Sequence, residues 1–407
     1  MKAVIAKGKA RGRITVPSSK SVAHRLLICA AMTDGVTVID DISPNDDISA
    51  TVDCLNALGI ETKISPTSIT VYGTGGRFSQ NKRTLPCRES GSTLRFMIPI
   101  ALTDGIETTF TGSGRLFERP MSVYENICRA GGIAWKKTGG SITVRGKLRG
   151  GDYHVPGDIS SQFITGLMLA LPHTENDSSI ILTSPLESGS YVGLTVEALE
   201  KFGFEIGSED GRYIIKGGQK GVSPGKVSVP GDESGAAFFG ILASLGGDIV
   251  LDGLDPDTRQ GDRIWRDHAN AIRNGFCTVS LADCPDLAPI LIVAAALSEG
   301  AEFTDTARLK YKESDRGAAM AEELAKCGVD ITVRGNSITV PGGGVHAPKE
   351  DLDSHNDHRI AMALAVLSTV TGGTVNGAEA VAKSMPGFWD MLKELNIDVK
   401  LTDNGEQ

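Results

Sequence analysis

VPGDISSQFITGLMLAL at residues 155–171 and VPGDESGAAFFGILASL at residues 229–245 open with the same four residues and follow the same plan. A strand ending in Val-Pro leads into a Gly-Asp turn, and the small and apolar residues that follow have the composition of a buried helix. Four more segments repeat this plan: ITVPSSKSVAHRLLICAAM (14–32), CRESGSTLRFMIPIAL (87–102), DCPDLAPILIVAAAL (283–297) and DSHNDHRIAMALAVL (353–367). With Ser19, Ser90, Asp158, Asp232, Asp286 and Asp357 as markers, the intervals are 71, 68, 74, 54 and 71 residues, which marks an internal repeat. Amphipathic helices at 47–58, 192–202 and 313–327 and alternating strands at 141–144 and 337–340 lie between the segments. The chain therefore reads as α/β, built from six mixed units of about 70 residues each.

Each marker is Ser or Asp, the residue types that cap helix N-termini. A helix N-terminus carries unpaired N–H groups and a partial positive charge, so several of them converging would hold anions. Neither GxxxxGK[ST] nor GxGxxG occurs, and Ser18-Ser19-Lys20-Ser21 resembles a Walker loop only superficially, so nucleotide binding through either motif is not expected.

The 407 residues are 40% hydrophobic and 22% charged, enough for about two globular domains. The longest apolar run, 289–297, has nine residues, far short of the roughly 20 that a membrane helix needs. The first residues interleave basic and small side chains without the apolar block of a secretory signal, so a cytoplasmic location is expected. Seven cysteines without a CxxC pair fit free thiols in a reducing compartment, mostly as small core residues. A formal charge of −9 and 5% aromatic residues argue against nucleic acid or an anionic membrane as partner.

Against this acidic background, Lys20, Arg25, Arg119, Lys312, Arg316, Arg359 and Lys383 each stand beside Ser, Gly, Pro or a helix start. Lys312 and Arg316 are four apart and would share a helix face. Ser160-Ser161-Gln162 offers two hydroxyls and an amide at a helix start, a phosphate cradle or an ordinary serine cap. Glu313 and Asp286 are candidate acid or base groups, or else caps and ion-pair partners. His355 and His358 flank Asn356-Asp357 with no third ligand nearby, so no metal is expected, and no GxSxG elbow supports a covalent hydrolase.

These segments, taken together, resemble the 5-enolpyruvylshikimate-3-phosphate synthases along essentially the whole chain. The resemblance rests on Lys20-Ser21-x-x-x-Arg25, Ser90-Gly91-Ser92-Thr93-Leu94-Arg95, Arg119-Pro120, Ser160-Ser161-Gln162-Phe163, Pro285-Asp286, Lys312-Glu313-Ser314-Asp315-Arg316, Asn356-Asp357-His358-Arg359 and Ala382-Lys383, in family order. It implies a two-lobed enolpyruvyl transferase fold, an inside-out α/β barrel in which each lobe has three βαβαββ-type units with pseudo-threefold symmetry. Residues 1–16 and 229–407 would form one lobe and 17–228 the other, with the active site in the interlobe cleft. The implied reaction is transfer of the enolpyruvyl group of phosphoenolpyruvate to the 5-hydroxyl of shikimate 3-phosphate, without a cofactor, in a monomer.

Carried over residue by residue, Ser21, Arg25, Ser160, Ser161, Ser188, Tyr191, Asp286 and Lys312 would hold shikimate 3-phosphate. Lys20, Gly91, Arg119, Gln162, Arg316, Arg359 and Lys383 would hold phosphoenolpyruvate, with Lys20, Asp286 and Glu313 as the catalytic set. Two positions depart from the family pattern. Glu89 brings a negative charge next to the Gly91 loop and would pair with Arg88 or Arg95, while Arg308 would either add a contact to the shikimate phosphate or point outward. Gly91 leaves the phosphate pocket open, which implies sensitivity to glyphosate. The competing readings are a UDP-N-acetylglucosamine enolpyruvyl transferase and a catalytically silent anion-binding protein. The first would want Asn where Ser21 stands and a Cys in the loop 112–118, which has none. The second would want the acid and base residues gone, yet Glu313 and Asp286 are both present.

Overall fold

One strand pattern recurs through the computed structural model, which describes residues 1–79 and 82–403. Arg83–Pro86 runs parallel to Thr108–Thr111, which pairs antiparallel with Ser141–Arg145, and that strand pairs antiparallel with Ala134–Lys137. Asp152–Val155, Ser178–Leu182, Arg212–Ile215 and Ile206–Glu209 form a second sheet of this kind, and Cys277–Ser280, Gly300–Thr304, Ser337–Pro341 and Thr332–Arg334 a third. Two sheets complete the same pattern with a strand from far along the chain. Lys226–Ser228 joins Asp34–Asp40, and Lys2–Ile5 lies between Gly373–Asn376 and Val399–Thr402. The sixth sheet is a parallel pair, Arg11–Thr15 with Asp248–Asp252.

Two α-helices accompany each sheet among the described residues. They are Lys20–Met32 (α1), Asp46–Ala57 (α2), Gly91–Ala101 (α3), Ser122–Ala130 (α4), Ser161–Ala170 (α5), Gly189–Lys201 (α6), Glu233–Ser244 (α7), Trp265–Arg273 (α8), Ala288–Ala296 (α9), Arg316–Ala325 (α10), His358–Thr371 (α11) and Phe388–Glu394 (α12). The helices of the repeated segments are apolar nearly all round and so lie inside. All of α9 is buried, as is all of α11 except Val370. The strands alternate instead, as in Ser141–Arg145, where Ile142 and Val144 face inward and the neighbours face water. Helices within and sheets without are the inside-out arrangement that the resemblance implies.

Contacts divide the chain into two compact units, Met1–Pro17 with Gly231–Gln407, and Ser18–Pro230. Each has its own apolar core. Both divisions follow a proline, one and two residues beyond the expected limits. Six cysteines are buried and Cys277 is partly so, all as free thiols.

The caps are more varied than the markers implied. Ser90, Asp232 and Asp357 accept from N–H groups of the first turn of their helices. Ser19 stands at the N-cap position without such a bond, and the cap of α5 is Ser160, because Asp158 accepts from the Ser184 hydroxyl. Asp286 caps nothing. It sits within the 3₁₀ turn Pro285–Leu287 and leaves its carboxylate for other partners. The helix expected at 313–327 begins at Arg316, after a 3₁₀ turn Ala307–Tyr311, so Lys312 and Glu313 lie on a loop rather than on the helix face of Arg316.

Candidate active site

In the unit Ser18–Pro230, the first turn of α1 presents Lys20, whose Nζ lies 2.7 Å from the Asp47 carboxylate on α2. Ser21 follows, and one turn further Arg25 enters the core with 3% of its surface exposed. The Arg25 guanidinium donates to Thr195 Oγ1 (2.8 Å), Thr165 Oγ1 (3.3 Å) and the carbonyls of Ser21 (2.5 Å) and Tyr191 (2.9 Å). Its face lies over Phe96 at 5.3 Å. None of these partners carries a negative charge. Burial accordingly lowers its pKa to about 10, which still leaves the side chain charged at neutral pH. A buried cation without a carboxylate is costly unless an anion visits it.

Ser188 stands at the N-cap position of α6 in a left-handed conformation (φ 58°), without a side-chain cap, and is buried, with Tyr191 one turn on. A non-glycine residue in that region stores backbone strain, a frequent feature of ligand sites.

Gly91, Arg119 and Gln162 form a second cluster. A Cβ at Gly91 would lie 2.5 Å from an Arg119 nitrogen and 3.2 Å from one of Arg95, so the glycine is what lets two guanidinium groups approach the start of α3. Arg95 donates to Gln162 Oε1 (2.7 Å) and to the Pro120 carbonyl (3.2 Å), and Gln162 Nε2 donates to Ser92 (2.9 Å). Ser160 caps α5, and Ser161 begins it in a buried position. Arg88 is taken up by Asp53 at 2.7 Å and Asp46 at 3.7 Å.

The other unit gathers charge around Asp286. Its Oδ1 accepts from Lys312 (3.1 Å) and Arg316 (2.8 Å), and its Oδ2 from Arg359 (3.0 Å). Arg316, 1% exposed, also reaches Asp357 at 2.9 Å and Glu313 at 2.8 Å. Burial pulls the Arg316 pKa down, but Asp357, Glu313 and Asp286 outweigh it and hold the charge firmly. The buried Asp357 carboxyl behaves likewise: burial pushes it up, and Arg316 brings it below its ordinary value. Burial lowers Lys312, partly countered by Asp286. Arg359 donates also to Ser234 (2.9 Å), and Lys383 donates to the Asn356 carbonyl (2.6 Å).

Arg308 does not point outward. It is 8% exposed and donates to the Ala282 carbonyl at 2.5 Å. His355 bonds Glu323 at 2.8 Å, whose carboxylate also holds Lys326 and the Asp353 N–H. Glu322, Glu323 and His355 do bring donor atoms within 4.8 Å of one another, but the inner carboxylate is engaged by protein donors.

Several residues that organise these clusters escaped the sequence reading. Arg95 stood inside a quoted motif without a role. Asp47, Thr165, Thr195 and Ser234 carry no local signal, because each acts through a partner on another helix. His24, one residue before Arg25, is a further case. It bonds Thr51 at 2.7 Å, and Thr51 bonds Thr93 at 2.8 Å, so three helices are tied behind Lys20 and Ser90. Burial holds its pKa down to about 3, and the ring is neutral.

A family model described as EPSP synthase (3-phosphoshikimate 1-carboxyvinyltransferase) matches residues 4–392. The chain belongs to the EPSP synthase family. Its relatives include the 3-phosphoshikimate 1-carboxyvinyltransferases of Clostridium kluyveri, 40% identical over 96% of both chains, and Clostridium novyi, 41% identical over 93% of both. Among solved structures, an EPSP synthase from Acinetobacter baumannii superimposes with a TM-score of 0.79 at 25% identity, covering 98% of this chain and all of that one. The enolpyruvyl transferase NikO from Streptomyces tendae has the same TM-score at 14% identity over 98% of each chain, which shows the shared fold alone. The family's two-lobed α/β fold is thus the fold of this chain.

Proposed function

We infer that this chain transfers the enolpyruvyl group of phosphoenolpyruvate to the 5-hydroxyl of shikimate 3-phosphate and releases phosphate. Family membership supports the reaction, and the buried, carboxylate-free Arg25 is the observation that carries the reading of a phosphate site. The two substrates together bring roughly five to six negative charges, since a phosphomonoester alone carries about −1.5 to −2. Lys20, Arg25, Arg119, Lys312, Arg316, Arg359 and Lys383 supply positive charge against them, part of it shared with Asp47, Asp286, Glu313 and Asp357.

In this account Arg25, Ser21, Ser160, Ser161, Ser188, Tyr191 and Lys312 hold shikimate 3-phosphate, with Arg308 set beside the Asp286 group. Lys20, Arg119, Gln162 and Lys383 hold the phosphate of phosphoenolpyruvate around Gly91, and Arg316 and Arg359 hold its carboxylate. Asp286 takes the proton of the 5-hydroxyl as its oxygen attacks C2, and Glu313 delivers a proton to C3. The tetrahedral adduct then loses phosphate, its charge stabilised by Lys20, while C3 returns its proton to Glu313. Asp286 suits the task of a base because its carboxylate is partly exposed and kept ionised by cations, and Glu313, also partly exposed, is held in orientation by Arg316.

Arg25→Met tests the phosphate assignment. Calorimetric titration should show shikimate 3-phosphate binding weakened about 10- to 100-fold, the worth of charge-assisted hydrogen bonds to a phosphate. The ligand-free variant should lose little stability, because the hydrogen bonds given up to neutral groups are offset by the removal of a buried charge. A large loss of stability with unchanged affinity would instead make Arg25 a structural residue.

Gly91 bears on inhibition. The Arg119 guanidinium that Gly91 lets approach the start of α3 would meet a small phosphonate that mimics phosphoenolpyruvate, so glyphosate is expected to inhibit turnover. Gly91→Ala would push Arg119 aside, raising the KM for phosphoenolpyruvate and weakening glyphosate together. Unimpaired turnover of the parent at glyphosate levels far above the KM for phosphoenolpyruvate would refute the open-pocket reading.

A further inference from the structure

A groove of about 500 Å³ lies along α4 within the unit Ser18–Pro230, and its lining shares no residue with the Arg25 and Gly91 clusters of that unit. Its floor is apolar, made by Val123 and Ile127 of α4 with Ile133, Leu148, Tyr153 and Ile159. That volume is in the range of small-molecule sites. Two opposite charges stand at its wall, Arg149 and Asp152; among the described residues neither side chain is hydrogen-bonded or in an ion pair, and Arg149 acts only from a distance on the Glu175 carboxylate. The third charge, Lys147, is paired with Glu175 at 2.7 Å. The groove therefore offers an apolar body, one cation and one anion to a single guest.

We propose that this groove binds an α-amino acid with a bulky apolar side chain, whose carboxylate meets Arg149 and whose ammonium meets Asp152, and that binding is felt at the catalytic residues through α4. The groove and the catalytic residues share backbone. Ser122, at the groove, is three residues from Arg119, and Ile159 directly precedes Ser160. The inner face of α4 is anchored to the same cluster, because the Tyr124 hydroxyl lies 2.7 Å from the Arg95 carbonyl and 3.2 Å from that of Phe163. Gly166 of α5 makes room for this anchor, since a Cβ there would lie 2.2 Å from the Tyr124 hydroxyl. A guest that shifts the outer face of α4 must move this anchor or strain it. The binding half of the proposal stands on this geometry alone, whereas the coupling half also rests on the proposed function.

The test uses the full chain with isoleucine methyl groups labelled for NMR and L-phenylalanine as probe. L-Phenylalanine should saturably shift the methyls of Ile127, Ile133 and Ile159. 3-Phenylpropanoate, lacking the ammonium, and phenethylamine, lacking the carboxylate, should each bind at least tenfold more weakly. Arg149→Gln and Asp152→Asn should each weaken L-phenylalanine by a similar factor, and Ala130→Trp, at the exposed rim, should block it, with melting curves confirming that all three variants fold. Saturating probe should change kcat or the KM for phosphoenolpyruvate without competing with shikimate 3-phosphate. Shifts confined to other methyls, no saturable shift at millimolar probe, or equal affinity for the half-charged analogues would overturn the site. Binding with unchanged kinetics would overturn the coupling.

Discussion

Lys20→Ala is expected to lower kcat by roughly 10²–10³-fold or more, the scale reached when one donor to a developing anion is removed. Its Nζ is the charge at the start of α1, adjacent to a helix N-terminus that already favours an anion. Nothing apolar is lost, because Lys20 is only partly buried and its stem is not part of the core. The partner it leaves, Asp47, lies in the first turn of α2, where the helix dipole favours a carboxylate. The cost in stability should therefore stay near 1–2 kcal/mol, less than a fully buried widowed charge would impose. Steady-state kinetics beside a thermal melt separate the two effects. Near-parental turnover in a folded variant would remove Lys20 from the catalytic set.

Asp286→Asn is expected to lower kcat by about 10²–10⁴-fold, the contribution of a positioned general base. Its carboxylate is shared by Lys312, Arg316 and Arg359, so the amide would also leave those cations less well placed. The fold should survive, because Arg316 keeps Asp357 and Glu313 and Arg359 keeps Ser234. A purely structural Asp286 would behave differently: stability would fall, and any folded fraction would turn over at the parental rate. The maximal rate divided by the concentration of folded enzyme, with the folded fraction known from circular dichroism, distinguishes these outcomes.

How much of this was readable beforehand varies along the chain. The six segments became interior helices because their composition is apolar on every face, a property that needs no tertiary context. The motif residues were visible for a similar reason, as charges in small-residue turns of an otherwise apolar stretch. The strand exchange was not visible in the repeat pattern, and only the resemblance placed residues 1–16 with 229–407. Lys2–Ile5 completes a sheet with residues some 370 positions away, and no local pattern in KAVI names that partner. Nor could capping statistics tell Asp357, which caps α11, from Asp286, which gathers cations, since both are aspartates at the head of an apolar helix. The difference lies in Lys312 and Arg316, which the fold brings from downstream. Arg25 is the clearest case of a sequence charge whose meaning needed the structure. Its motif marked it, but only its neutral surroundings distinguish an anion site from an internal ion pair.

The central claim is the identity of the two reacting molecules. The most direct test is phosphate release by the purified protein on mixing phosphoenolpyruvate with shikimate 3-phosphate, run in parallel with UDP-N-acetylglucosamine as acceptor. Release with shikimate 3-phosphate alone is the predicted result, whereas release only with the nucleotide sugar, or with neither, would contradict the account.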